Sequence, residues 1–437
     1  SDGIKIGDNF IVNDDIGSEN QYTPSMAKDS SDNFFIAWVD VRNDCEDIYA
    51  QRFSNDGTAL GSNFKVNDDT IGLFIHYSPS ITCDTEGNFI ITWTDYRSGF
   101  CSDIYAQRYS KEGTPLGSNF IVNNTGACMH HNSKVVCKKN GDFIITWGDF
   151  EDGGKIRKPF HQLHDQVILE PDFSKDKKGT EPDIYAQQYL SDGTPLGENF
   201  KVNDDIGYAY QECPDIAIDG NGNFIIAWED ERNEIWDIYY QRYLSDGTPV
   251  GSNIKVEDSV VSEHQWGATV STDEVGNFVI AWRDRRNDNF DIFAQRFLND
   301  GTQLGYNFQV NNDTSSSSQS NPGISVNSNG NFIISWSDHR SGDIDIYAQR
   351  FLSSGMPYGN NYLIPNTANM QQYNQSVILF ENMIYSTWQD NRGGQTGFDI
   401  WANVVYWENF EQEISLLEGY QFVSSNIDPS EPDMLDV

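Results

Sequence analysis

Seven short stretches of the sequence place a side chain that can hydrogen-bond in two directions next to, in most copies, an aromatic ring. Gln21, His76, His130, Gln211, Gln265, Gln319 and Gln372 recur at regular intervals, followed by Tyr22, Tyr77, His131, Glu212, Trp266, Ser320 and Tyr373. A carboxamide makes paired hydrogen bonds to neighbouring hydroxyls, and an aromatic face covers the apolar side of a sugar ring. That is the chemistry of carbohydrate recognition. The candidate ligand-binding set is therefore Gln21, Tyr22, His76, Tyr77, His130, His131, Gln211, Gln265, Trp266, Gln319, Gln372 and Tyr373. The competing explanation is structural, since a side chain that recurs with a repeat can cap a neighbouring unit's backbone in every copy.

Histidine is the second reactive type. His76, His130, His131, His161, His164, His264 and His339 all fall in segments expected on one face of the fold. Imidazoles there suit acid–base work, metal binding or polar ligand contact. His130 and His131, with Tyr77 near them, are the candidate catalytic groups for abstracting a proton. No H-E-x-x-H or comparable spacing is present, so the sequence assigns no zinc centre. Asp40, Asp47, Asp95 and Asp103 flank loops of the same face and are the candidate ligands for calcium, although no unit carries a dense D-x-D-x-D-G run. The plainer expectation is that Asp40 and Arg42 pair to tie one strand to the next.

The elements that position these residues are legible from repetition. The stretch DIYAQRF at 47–53 returns as DIYAQRY, DIYAQQY, DIYYQRY, DIFAQRF and DIYAQRF, and decays to DIWANVV at 399–405. A Trp followed two residues later by Asp recurs at Trp38, Trp93, Trp147, Trp228, Trp282, Trp336 and Trp388. One interval is longer than its neighbours by about 27 residues. Within a unit, an alternating strand, a Gly-containing turn, a nearly continuous apolar strand, a loop, the DIYAQRF strand, a second turn and an NF-x-VN strand follow in order. Four antiparallel strands per unit, repeated seven times, predict an all-β, seven-bladed β-propeller. The last DIYAQRF-like strand has no NF-x-VN partner behind it. SDGIKIGDNFIVNDD at 1–15 matches SDGTPLGENFKVNDD at 191–205, so the N-terminal strand is expected to complete blade seven and close the ring. In the third strand, Ile48 and Ala50 should face one neighbour and Tyr49, Gln51 and Phe53 the other.

The propeller is expected over residues 1–407, with an insertion loop at 151–183 in blade three. That insertion replaces the Arg that follows W-x-D in other blades and carries Lys155, Arg157, Lys158, Lys175, Lys177 and Lys178. Elsewhere the chain is strongly acidic, with 66 Asp and Glu against 28 Lys and Arg and a net charge of −38. Such a surface disfavours nucleic acid and anionic membranes as partners. No apolar run is long enough for a membrane span. Cys83 and Cys137 align with Ile218 of blade four and are expected in the core, while Cys101 and Cys128 share a face and could form a disulfide. Cys45 and Cys213 lie on that face without an assigned partner. Oxidised pairing fits a secreted or cell-surface protein.

The unit W-x-D-x-R…DIYAQRF…DG-x-x-LG-x-NF-x-VN resembles the propeller repeats of large bacterial surface and secreted proteins. The resemblance implies a location and a fold rather than an activity. Residues 408–437 are expected to be a linker and the start of a following small β module. ISLLEGYQFVSSNIDPSEPDML resembles the opening of a module found near the C-termini of large secreted bacterial proteins, with Tyr420 where a Trp is typical. The likeness implies that these residues belong to a longer multidomain chain. SDGTPLG resembles the Asp-box of sialidases, but its spacing differs and no catalytic residue is carried over. The leading expectation is a non-catalytic extracellular recognition or adhesion module that takes a glycan or protein ligand in the funnel. The alternatives are a polysaccharide lyase using His, Tyr and the basic loop, and a structural spacer.

Overall fold

The computed structural model describes residues 8–407, apart from 151–181 and short stretches at 16, 70–73, 100, 125–126, 128, 207–208, 257–262, 288, 314, 366–370 and 393–396. The insertion's six basic residues and the 408–437 segment therefore lie outside the described residues. Seven four-stranded antiparallel sheets are arranged as blades. Blade one runs from its innermost strand Gln21–Lys28 through Phe34–Asp40 and Asp47–Phe53 to the outer strand Phe64–Lys65. The other blades repeat this order. No helix among the described residues is long and apolar enough to cross a membrane.

The apolar second strand is the interior of each blade. In blade one all of Phe34–Asp40 is buried, as are Phe89–Asp95 in blade two and Phe224–Asp230 in blade four. Each blade's tryptophan at the W-x-D position is fully buried. The third strand alternates as expected. Ile48 and Ala50 join Ile81, Phe89, Ile91 and Trp93 of blade two, while Phe53 and Tyr49 join Val12, Tyr385, Ile400 and Ala402 of blade seven. Each core is thus shared by two blades, so no blade can bury its apolar faces alone.

The ring closes through the N-terminus. Phe10 and Ile11 pair with Ala402 and Trp401, which makes the first strand of the chain the outer strand of the last blade. Asn13 accepts from the Ile400 amide at 2.9 Å and donates to Asp399 at 2.9 Å. This joint leaves blade seven four-stranded like its neighbours.

The W-x-D-x-R motif forms one hydrogen-bonded unit. In blade one the Trp38 indole donates to Asp40 at 2.9 Å, and the Arg42 guanidinium grips the same carboxylate at 2.7 and 2.9 Å. Arg42 lies over the Tyr49 ring at 4.3 Å and reaches Asp14 of blade seven at 2.9 Å. The tie to the third strand is therefore a cation–π contact, with the ion pair inside the motif.

Candidate functional site

The innermost strands surround the axis, and all seven begin at the same end of the blades. Each opens on the residue that the sequence marks as Gln or His. These residues sit beneath the rim, since Gln21, His76, His130, Gln211, Gln265, Gln319 and Gln372 are between 0 and 3 % exposed. The cause is register: Gln21 stands opposite Asp40, His76 opposite Asp95 and Gln211 opposite Asp230, so they share the face that packs on the preceding blade. Their polar groups are used internally. Gln265 donates to Asp284 at 3.1 Å and Gln372 to Asp390 at 3.1 Å. Gln211 accepts from Asn203 at 2.9 Å and Gln319 from Asn311 at 3.0 Å. The glutamines expected at an open funnel mouth are parts of a buried polar belt.

The residues after them form the accessible rim. Tyr22, Tyr77, His131, Glu212, Trp266, Ser320 and Tyr373 are half-buried. Directly beyond each one the strand bulges, and the bulge residue takes a left-handed backbone: Thr23, Ser78, Asn132, Cys213, Gly267, Asn321 and Asn374 have φ between 50° and 69°. A bulge bends its strand and re-aims the adjoining side chain. The rim residues are braced from behind. Tyr22 donates to Glu46 at 2.5 Å, Tyr77 stacks on Tyr96 at 5.8 Å, and Tyr373 meets Phe398 at 5.8 Å. Trp266 is stacked on His264 at 5.0 Å, meets Phe290 edge-on at 5.6 Å, and has the Arg283 guanidinium 5.3 Å from its ring.

The middle residue of W-x-D faces the next blade at this level. Glu229 accepts from the Gly267 amide at 2.6 Å, and Gln389 from the Thr23 amide at 3.1 Å. Glu229 also pairs across the strands with Glu212, which puts two acidic residues on one face. Burial raises the Glu229 carboxyl to about 7, against the pull of the Gly267 N–H and Arg283. Sequence reading missed Glu229, although this position varies from blade to blade as Val39, Thr94, Gly148, Glu229, Arg283, Ser337 and Gln389.

The two candidate catalytic histidines have different surroundings. His130 is fully buried, and its Nδ1 donates to the Ser102 carbonyl at 2.8 Å. His131 packs 4.1 Å from Phe150, and its Nδ1 has no hydrogen-bond partner. Burial, with His130 beside it, pushes the His131 pKa down to about 4, so the ring is neutral at physiological pH. The Tyr77 phenol is shifted upward by burial and by Tyr96. His264 and His339 are half-buried, while His161 and His164 lie outside the described residues.

Among the metal candidates, Asp40 and Asp95 each receive an indole N–H and an Arg guanidinium. Asp103 receives Asn123 at 3.0 Å and Ser98 at 3.0 Å. Asp47 belongs to the one group of three with metal-ligand spacing among the described residues, Asp47, Asp69 and His76. Of the cysteines, Cys83 and Cys137 pack against the cores, and burial pushes the Cys137 thiol up to about 12. Cys101 is disulfide-bonded, whereas Cys128 lies outside the described residues.

No protein-family model matches the sequence, and no curated protein is similar to it. Solved structures are similar in fold. An ulvan lyase of polysaccharide lyase family PL25, bound to -[GlcA(1-4)Rha3S]-, gives a TM-score of 0.57 at 10 % identity, over 91 % of this chain and 96 % of its own. The polysaccharide lyase Uly1 gives 0.55 at 8 % identity, over 93 % and 100 %. The α-L-arabinofuranosidase Arb93A of Fusarium graminearum, with an iminosugar inhibitor, gives 0.51 at 13 % identity, over 92 % and 98 %. At these identities the likeness is one of fold.

Proposed function

We propose that the protein is an extracellular module that recognises a polysaccharide on the face where its innermost strands begin, without cleaving it. The rim of braced aromatic residues carries this reading. Tyr22, Tyr77, Trp266 and Tyr373 are half-buried, and each is backed by a ring or a carboxylate. A ring already held in place loses little freedom when a sugar stacks on it. Arg283, its guanidinium 5.3 Å from the Trp266 ring, is a partner for hydroxyls or acidic groups. The fold shared with two polysaccharide lyases and an arabinofuranosidase supports a sugar as the ligand class. The disulfide at Cys101 supports an oxidising, extracellular setting.

A second reading, lyase-type cleavage, is favoured by His131. Its imidazole is neutral and so holds a lone pair that can take a proton, while burial, by lowering its pKa to about 4, weakens it as a base. Tyr77 would assist it from the neighbouring blade. His130 has no part in this reading, because its ring is enclosed and its Nδ1 proton is held by the Ser102 carbonyl.

A polysaccharide panel measured for binding and for digestion separates the two readings. Binding without new absorbance near about 235 nm, where unsaturated uronates absorb, supports recognition. New absorbance that is lost in His131→Ala transfers the function to cleavage. Absence of both overturns the carbohydrate assignment.

A further inference from the structure

Where blade one meets blade two, the buried polar belt has a charge its own side chains do not balance. In blades that carry Gln, the side-chain NH2 lies between two acids. Gln319 Nε2 donates to Asp313 at 3.3 Å and lies 3.5 Å from Asp338, and Gln21 Nε2 donates to Asp15 at 3.3 Å. In blade two His76 takes this place, and its Nε2 faces Asp69 at 3.3 Å and Asp95 at 3.4 Å. Its Nδ1 lies 2.8 Å from the Glu46 carbonyl, which can only accept, so Nδ1 carries a hydrogen and Nε2 is the ring nitrogen turned toward the two acids.

The surrounding cations do not reach Asp69. Lys65 pairs with Asp47 at 2.8 Å and Arg97 with Asp95 at 2.8 Å, whereas His76 is the sole ion-pair partner found for Asp69 among the described residues. The Asn67 amide directs its two hydrogens at Asp47 and Asp69, at 2.9 and 2.5 Å. Even so, Asp69 Oδ2 is buried and accepts no hydrogen bond, on a side chain only 8 % exposed. The Asp69 carboxylate and His76 Nε2 thus lie 3.3 Å apart out of water, a pair of ligand atoms that a cation between them would join.

We propose that Asp47, Asp69 and His76 form a site for a divalent transition-metal ion that clasps blade one to blade two. Their ligand atoms lie within 4.8 Å of one another. Two ligands at about 2.1 Å from a tetrahedral zinc stand about 3.4 Å apart, which the His76–Asp69 pair already matches. An imidazole held by a backbone carbonyl through its other nitrogen is the usual form of a metal-ligating histidine. One nitrogen with carboxylates selects zinc-like ions over calcium, which takes only oxygens. The half-exposed Lys65 side chain must turn away from Asp47 as the ion enters. The composition is particular to this junction. Blade three also has a histidine, His130, but Thr125 stands where Asp69 does, and the other five blades have Gln. The site lies directly under the rim, because His76 precedes Tyr77 and Asp47 follows Glu46, the partner of Tyr22.

The test is zinc binding by chelator-stripped, dialysed protein, with calcium titrated in parallel, on the native chain, His76→Gln and Asp69→Asn. His76→Gln installs the residue that five other blades use, so it preserves the fold. The expected result is one tightly held zinc per native chain, a higher Tm with zinc, and loss of both in His76→Gln. Zinc affinity should fall at least tenfold in Asp69→Asn. A cobalt-loaded sample should show the intense visible bands of a four-coordinate site. Native protein that holds no stoichiometric zinc would overturn the proposal. So would zinc binding that survives His76→Gln unchanged, which would mark it as nonspecific uptake by an acidic surface.

Discussion

Removing the carboxylate of Asp230 should destabilise the ring far more than removing that of Asp246, in an exposed turn of the same blade. Asp230 is fully buried and receives five hydrogen bonds: Trp228 Nε1 at 2.9 Å, the Arg232 amide at 2.9 Å, Arg232 Nε at 3.0 Å, Arg232 Nη2 at 2.7 Å and Gln211 Nε2 at 3.4 Å. Asp230→Ala leaves the indole N–H without an acceptor and a guanidinium whose side chain is only 18 % exposed without its partner. Breaking a buried pair in this way costs about 3–5 kcal/mol. Asp246, in an exposed turn of the same blade, accepts a hydrogen bond from the Thr248 amide at 2.9 Å, so Asp246→Ala removes much less, about 1 kcal/mol. For a chain of 437 residues the unfolding entropy is about 0.9 kcal/mol/K. Asp230→Ala should therefore lower Tm by about 3–6 °C, and Asp246→Ala by about 1 °C. Scanning calorimetry on both variants measures the contrast. Equal shifts, or a shift under about 1 °C for Asp230→Ala, would refute the role assigned to the motif.

Three further outcomes follow from the structure. Glu229 has a folded-state pKa of about 7 against an ordinary 4.5, so the folded chain holds its proton more tightly and stability falls as pH rises from about 4.5 to 7. Glu229→Gln should leave Tm unchanged at pH 4 and raise stability at pH 8 by up to about 3 kcal/mol, as read from denaturant curves at the two pH values. Deleting residues 1–13 removes the strand that pairs with Ala402 and Trp401, so the truncated chain should melt earlier and aggregate at its bare edge. A peptide of residues 1–15 added in trans should restore part of the lost Tm. Reduction of the disulfide at Cys101 should also lower Tm, by about 2–4 kcal/mol in stability, seen by comparing melts with and without reductant.

The blades were legible in the sequence because strand identity and order are written in local patterns. DIYAQRF alternates two faces with period two, and both faces appear in the structure against different neighbours. Closure was legible because 1–15 repeats a segment whose place in a blade is fixed by 191–205. The depth of the glutamine ring was not, because position along a strand does not say which side of the sheet a residue takes. Only the pairing of Gln21 with Asp40 shows that it shares the buried face of the W-x-D motif. A signal did exist, since Asn13, Asn203 and Asn311 each precede a buried glutamine, Gln21, Gln211 and Gln319, by eight residues and bond to it. The braces Phe290, Phe398 and Tyr96 come from loops and strand ends whose approach depends on the closed ring. The convergence of Asp69 with His76 depends on how the chain between them returns from the outer strand to the axis.

The most direct test of the carbohydrate assignment is a binding isotherm for the polysaccharide that the panel selects, on the native chain and on Trp266→Ala. Trp266 is half-buried at the rim, whereas the seven W-x-D tryptophans are fully buried and cannot report on a surface ligand. Loss of an anchoring ring costs roughly 1–2 kcal/mol or more, so affinity should fall about tenfold in a variant that still shows a cooperative melt above the assay temperature. Affinity equal to that of the native chain would contradict recognition through the rim.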